Sequence, residues 1–196
     1  MSAALTSEAI LDAAEQVLRR FGPAKTTVVD VARVLEVSHG TVYRHFASKA
    51  ALRDAVTERW LDRVSAPLEA VVTRRGKAEN RLRAWLELLA ESKQSMARED
   101  PELFATFHAL TSESREVVAE HLARLSGQLS EIVASGVASG EFAAVADVDR
   151  TGWAILQATA RFHHPAHAAE WGEPDLAQDF AAVFDLLVHG LVRPPR

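Results

Sequence analysis

Cysteine is absent from the 196 residues, so the chain can form no disulfide, offer no thiolate nucleophile and sense no oxidant through a thiol. Long apolar runs are missing as well. Nothing approaches the ~18–20 residues that a membrane-spanning helix needs, and no charged start leads into an apolar core as in a secretion signal. A cytoplasmic location without a membrane partner is the expectation. Signatures of enzyme chemistry are also wanting. No glycine-rich loop is placed to cradle a phosphate, no G-x-S-x-G elbow or H-E-x-x-H run occurs, and no carboxylate pair is spaced for acid–base work. We therefore expect neither an enzyme nor a cofactor. Strand-like alternation, internal repeats and low-complexity tracts are absent too, which leaves an all-α class.

What the chain does have is helical periodicity almost throughout, with 48% hydrophobic and 25% charged residues, an ordinary balance for a globular protein. Ile10, Ala13, Ala14, Val17, Leu18 and Phe21 form one stripe of a helix from about Thr6 to Phe21, stopped by Gly22-Pro23. Ser48 caps a long helix running toward Thr73, along which Leu52, Val56, Trp60 and Val64 step by four. Pro67 predicts a kink or break in it near Ala66, and Arg74-Arg75-Gly76-Lys77 reads as a connector.

Further helices are expected over 78–97, 101–110, 113–135, 147–164 and 174–192. Asp100-Pro101 supplies an N-cap and a proline at the first helical position. Gly136 to Asp147 reads as a glycine-punctuated turn, and Pro165 and Gly172-Glu173-Pro174 bracket a loop. Charge divides along the same line. Residues 1–60 hold eight Lys/Arg against seven Asp/Glu, residues 61–196 fourteen against twenty, within a net of −5. A small domain over 4–64 and a larger one over 78–192 follow.

The densest local signal lies at residues 26–49. Thr27 can cap a helix, with Asp30 three residues on completing a box. Val28, Val31, Ala32 and Leu35 give that helix one apolar face. Ser38 is a second N-cap, opening a helix of roughly seven residues that carries His39, Gly40, Thr41, Tyr43, Arg44 and His45. Val42 and Phe46, four apart, are its core side. From Lys25 to Arg53 there are five Lys/Arg and two acidic residues, a basic island in an acidic chain that suits a polyanion partner. Two short helices about a tight turn, the second one polar, make a helix-turn-helix, whose second helix enters the major groove of DNA.

The order of these residues resembles the DNA-binding domain of the TetR family of transcriptional regulators. The match falls on Thr27, Val31, Ala32, Val37, Ser38, Gly40, Tyr43, His45, Phe46, Ser48, Lys49 and Leu52. It departs at Glu36, where the family usually has glycine. That position ends the first helix, often in a left-handed conformation costing a non-glycine residue about 1 kcal/mol. The resemblance implies an N-terminal three-helix DNA-binding domain and a C-terminal helical domain for ligand binding and dimerisation. Thr27, Ser38, His39, Gly40, Thr41, Tyr43, Arg44, His45 and Lys49 are the expected DNA-binding residues. His39, Thr41, Tyr43 and His45 would face the groove or its walls. Thr27, Ser38 and Lys49 would hold phosphates from helix starts. Met1 to Leu5 carry no basic side chain, so no Arg-rich arm reaching the minor groove is expected.

The last helix carries Leu176, Phe180, Val183, Phe184, Leu187, Val188 and Leu191, apolar on more than one face, and needs cover on both sides. The resemblance implies that the last two helices pair with their copies in a second subunit. Phe180, Phe184, Leu187 and Leu191 are expected at that interface, and the two-fold places two reading helices on a near-palindromic operator. A helix fully buried in a monomer is the alternative. Ser139-Gly140-Glu141-Phe142 resembles a turn found at the same place in the family.

The family pattern also places a small-molecule pocket among the helices of the larger domain. Its candidate liners are Trp85, Leu89, Met96, Phe104, Phe107, His108, Trp153, Gln157 and Arg161, each also readable as plain core. Arg161 stands out because a buried guanidinium wants an anion or carboxylate, which points to an apolar or aromatic effector with an acid group. A homodimeric repressor released from its operator by such an effector is the reading. Two alternatives stay open. His163, His164 and His167, with Glu170 or Asp175, form a possible metal-responsive cluster, although Pro165 interrupts their helical face. A ligand-independent DNA-binding protein is the other, but it would not need so large an apolar body.

Overall fold

The computed structural model describes residues 5–192; residues 1–4, where the smaller domain was expected to begin and where most of the segment without a basic arm lies, fall outside them. Among the described residues the regular elements are all helical. They are α1 (Ser7–Lys25), α2 (Val28–Val34), α3 (His39–His45), α4 (Lys49–Val72), α5 (Ala78–Glu99), α6 (Pro101–Glu113), α7 (Arg115–Ser139), α8 (Val148–Ala158), α9 (Ala160–His163), a 3-10 helix (Pro165–Glu170) and α10 (Leu176–Leu191). None is long and apolar enough to cross a membrane. The chain divides into two compact units, the first reaching Leu61 and including Asp100–Ala119, the second made of Asp62–Glu99 and everything from Glu120.

In the first unit, α1 ends where the sequence predicts. Gly22 takes φ 72°, ψ 168°, and Pro23 to Lys25 add a separate short turn. Ile10, Ala13, Ala14, Val17 and Leu18 are buried, whereas Phe21 is exposed under the Arg20 guanidinium, 5.1 Å from its ring centre. The capping box of α2 is complete. Thr27 Oγ1 accepts from the Asp30 N–H at 3.2 Å, and Asp30 Oδ2 accepts from the Thr27 N–H at 3.2 Å.

The unit also takes in α6, which moves the domain boundary away from the expected 4–64 and 78–192. The cause is aromatic. Trp60 stacks on Phe107 with ring centres 4.7 Å apart and meets Phe104 edge-on at 6.4 Å. Arg53 donates to Glu113 Oε2 at 2.7 Å, and the Ser114 hydroxyl donates to Asp54 Oδ1 at 2.6 Å. These contacts fasten both ends of α6 to the first half of α4.

Helix α4 continues through Pro67, so of the kink or break expected near Ala66 there is no break. The proline removes one backbone hydrogen bond, while the row Val64, Leu68 and Val72 stays buried on a continuous face. Packing outweighs the missing bond.

The second unit is built on one core that includes Leu68, Leu82, Trp85, Leu86, Leu89, Leu129, Ile132, Phe142, Leu156 and Phe184. Helix α7 continues to Ser139, so Gly136 lies inside it and not in a turn; its missing side chain leaves room for the Phe142 ring. The turn itself falls at Gly140, with φ 78°. The single helix expected over 147–164 is broken at Thr159, which takes φ −100°, ψ 7°. Its hydroxyl donates to the Ile155 carbonyl at 2.9 Å, a back-bond that competes with helical continuation.

Candidate nucleic-acid interface

Turn geometry is the first requirement for presenting a reading helix, and here it is met with an unfavourable residue. Glu36 has φ 55°, the left-handed value that glycine usually supplies. The Val37 N–H donates to the Ala32 carbonyl at 3.0 Å and the Glu36 N–H to the Arg33 carbonyl at 3.2 Å. That pair of bonds closes α2 as a Schellman motif. The geometry of the turn is therefore intact, and Glu36 bears the cost.

Ser38 opens α3 by accepting from the Thr41 N–H at 3.2 Å, with the two hydroxyls 2.9 Å apart. Val42 points into the core and Phe46 is half-buried. His39, Gly40, Tyr43, Arg44 and His45 are exposed, and Thr41 is half-exposed. The His39 and Tyr43 rings meet edge-on at 6.3 Å, one turn apart on the same side. Arg44 reaches Thr41 Oγ1 at 3.4 Å, and His45 Nδ1 lies 3.3 Å from the hydroxyl of Ser7 on α1.

Thr27 and Lys49, both exposed, line one cavity of ≈ 220 Å³ with Arg53, so the starts of α2 and α4 are neighbours. Ser48 caps α4 by accepting from the Ala51 N–H at 3.0 Å. Helix starts carry free N–H groups and a partial positive charge, which suits phosphate oxygens. Charge on α2 is arranged differently. Hydrogen bonds from Thr27, then the Arg33 guanidinium at 2.9 Å, hold the Asp30 carboxyl below its ordinary range. Arg33 is thereby partly neutralised, while Arg44 and Lys49 have no carboxylate among the described ion pairs.

The residues read as effector liners are divided between the two units. Trp85, Leu89 and Met96 belong to the second unit's core, with the Trp85 indole N–H donating to Gln128 Oε1 at 2.8 Å. Phe104 and Phe107 pack on Trp60 in the first unit, because the turn of α6 that carries them is the one facing α4. His108, Trp153 and Gln157 are exposed. Arg161 pairs with Asp179 at 2.6 Å, Glu170 at 2.8 Å and Glu173 at 2.8 Å; the bonds to Asp179 and then Glu170 push its pKa up. It ties the 3-10 segment to α10.

Of the residues expected between subunits, Phe184 and Leu191 are buried in their own chain and Phe180 and Leu187 are half-buried against the same core. The exposed apolar groups on α8 and α10 are instead Trp153 and Leu186. The three histidines take separate partners. His163 is buried with Nε2 3.2 Å from the Leu156 carbonyl, and His164 Nδ1 accepts from the Ala166 N–H. His167 Nδ1 lies 2.8 Å from Glu170. No group of three or more metal-ligating side chains converges among the described residues.

One residue escaped the sequence reading. Lys93 is buried on α5, seven residues after Leu86 and four after Leu89. Its place on that apolar stripe is legible in the sequence and would have flagged it.

An exposed polar helix flanked by capped helix starts, on an all-helical frame, defines a helix-turn-helix DNA-binding protein. Residues 10–56 match the family model for bacterial regulatory proteins of the tetR family, and residues 78–184 match the model for a tetracyclin repressor-like C-terminal domain. The chain belongs to the TetR family and is a DNA-binding transcriptional regulator. Among characterised relatives, the HTH-type transcriptional repressor Rv3405c of Mycobacterium tuberculosis is 44% identical over 50 residues, 26% of this chain and 27% of that one. The matched stretch thus spans about a quarter of that relative.

Similar folds include SmeT, repressor of the Stenotrophomonas maltophilia multidrug efflux pump SmeDEF, with TM-score 0.70 and 21% identity over 97% of this chain and 92% of that one. The regulator FadR of Bacillus subtilis, solved with stearoyl-CoA, gives TM-score 0.66 and 22% identity over 94% and 99%.

Proposed function

We propose that the chain is one subunit of a homodimeric repressor that leaves its operator when a small molecule occupies the second unit. The observation that carries the DNA half of this reading is the exposed array on α3, flanked by the starts of α2 and α4. His39, Thr41, Tyr43 and His45 face base edges or groove walls; Thr27, Ser38 and Lys49 hold phosphates. The effector half is supported by relatives of the same fold. FadR was solved with stearoyl-CoA and SmeT with triclosan. An effector works only if it binds the conformation that does not hold DNA more tightly than the one that does.

The test begins with operator fragments selected from random or genomic DNA. Lys49→Ala is expected to weaken binding to all sequences and to lower the salt slope by about 0.9 per subunit, the value for one lost phosphate contact. His39→Ala is expected to relax base preference instead. Gel-shift titrations in which Lys49→Ala follows the parent across a salt series would sink the phosphate assignment.

A further inference from the structure

We propose that the first unit holds a small-molecule site of its own, the cavity at the start of α4, and that it takes a single-ring aromatic carboxylate whose acid group sits on Lys49. The site is additional to the effector reading of the second unit. Its effect on DNA rests on the reading of Lys49 as a phosphate contact.

The cavity of ≈ 220 Å³ is lined by side chains of α1, α2, α4 and α6, all within the first unit. Leu18, Val28, Leu52, Val56 and Leu110 on that lining are buried, whereas Thr27, Lys49 and Glu113 are exposed. The cavity therefore opens at one end and reaches the core at the other. Packed interiors hold few voids larger than a water molecule. An apolar cavity of about 150 Å³ is enough for benzene, so this one has room for one ring on a short tether.

The polar groups on the lining decide what the guest must carry. The Thr26 hydroxyl donates to the Gly22 carbonyl at 2.8 Å, and the Thr27 hydroxyl to Asp30 Oδ2 at 2.6 Å. Glu113 accepts from Arg53 at 2.7 Å, and Arg53 also reaches Asp54 at 3.4 Å. With these groups satisfied internally, the cavity asks for an apolar body. Lys49 pairs with no carboxylate among the described ion pairs, and Lys49 and Arg53 against Glu113 leave the lining one positive charge in excess. A monoanion completes that balance. Its carboxylate accepts from the Lys49 ammonium at the open end, while the ring packs on Leu18, Leu52 and Leu110.

An acid held by Lys49 takes the place that the phosphate reading gives to the operator backbone. Ligand and operator then exclude one another directly, without a change of conformation. Such competition has its own form. Operator Kd rises in proportion to ligand concentration without limit, whereas an effector acting through two conformations reaches a plateau.

The full chain is titrated by calorimetry with sodium 3-phenylpropionate, with 3-phenylpropanol as the neutral match and sodium chloride at equal ionic strength as control. The acid is expected to bind about fivefold more tightly than the alcohol, the upper range for an exposed ion pair. Lys49→Gln is expected to lose about fivefold in affinity for the acid, with the alcohol unchanged. Ala14→Leu, which fills the cavity from its α1 wall, is expected to lose about tenfold or more for both compounds. In the parent, NMR methyl signals of Leu18, Leu52, Val56 and Leu110 should shift with the acid, while those of Leu129 and Ile132 in the second unit stay put.

No detectable binding of the acid, equal binding of the alcohol, or a folded Lys49→Gln protein with undiminished affinity for the acid overturns the proposal. If the variants do not fold, unmoved methyl signals of the first unit in the parent overturn it. Operator binding is read separately. Phenylpropionate that raises operator Kd without a plateau supports both the site and the phosphate role of Lys49, and a plateau overturns direct competition. Acid bound at those methyls with operator affinity unchanged keeps the site and removes the phosphate role. Operator release that persists in a folded Ala14→Leu protein returns the effect to the second unit and removes the site.

Discussion

Glu36 sits in the left-handed region at φ 55° although nothing in its side chain favours that conformation. The two bonds that close α2 need a residue there with positive φ, and the surrounding packing of Val31, Ala32 and Val42 imposes it. Glu36→Gly should relieve the strain and stabilise the protein by about 1 kcal/mol, less the extra backbone entropy glycine brings to the unfolded chain. Urea unfolding measures this, and a variant with an unchanged or lower midpoint would show that the turn carries no strain. Arg161 teaches a different lesson at the same scale. Its sequence neighbourhood is apolar, which made it look like a buried cation awaiting a ligand. Its three carboxylates come from positions nine, twelve and eighteen residues onward, across a loop whose path no local pattern gives.

Among the helices, caps and stripes were legible because they are local: Thr27, Ser38 and Ser48 open their helices as their side-chain chemistry requires, and Asp100-Pro101 does the same for α6. What could not be read is which unit a helix joins. The aromatic stripe of α6 fits any apolar partner, and only the fold brings it to Trp60. The exposed face of α8 is hidden from the sequence for a related reason, since Trp153 looks like core until its neighbours are placed.

Gly152 shows how tightly α8 meets α7. A Cβ added there would lie 2.7 Å from the Ser126 carbonyl and 2.8 Å from the Ser130 backbone nitrogen, atoms that cannot rotate away. Gly152→Ala should therefore force the two helices apart and cost about 1–3 kcal/mol by overpacking, even though alanine is the better helix former. A thermal midpoint equal to or above the parent's would mean that α8 has room to shift.

For the molecule as a whole, the buried imidazoles set a pH dependence. His121 at about 3 and His163 at about 4 both lie below the 6.5 of an open chain. Below pH 6.5 the unfolded chain binds protons that the folded one refuses. The stability these groups contribute is therefore full above that pH and drains away as pH falls toward 4. The thermal midpoint should drop between pH 6.5 and 5, and His121→Leu should flatten that slope; a parallel slope in the variant would rule His121 out as a cause. Assembly is the second property at this scale. Phe184 is 1% exposed within its own chain, so Phe184→Arg would damage the core and says nothing about a partner. Leu186 on α10 is 74% exposed and Trp153 on α8 is 42% exposed, apolar groups on the two helices proposed to pair with a second subunit. Leu186→Arg in a paired interface buries an unpaired charge at a cost of several kcal/mol, whereas on a free surface it costs almost nothing. Light scattering should therefore find dimers for the parent and monomers for Leu186→Arg, with the thermal midpoint at high dilution nearly unchanged. Operator affinity should collapse in the same variant, because each reading helix then binds its half-site alone. A Leu186→Arg protein that stays dimeric would move the interface off this face of α10.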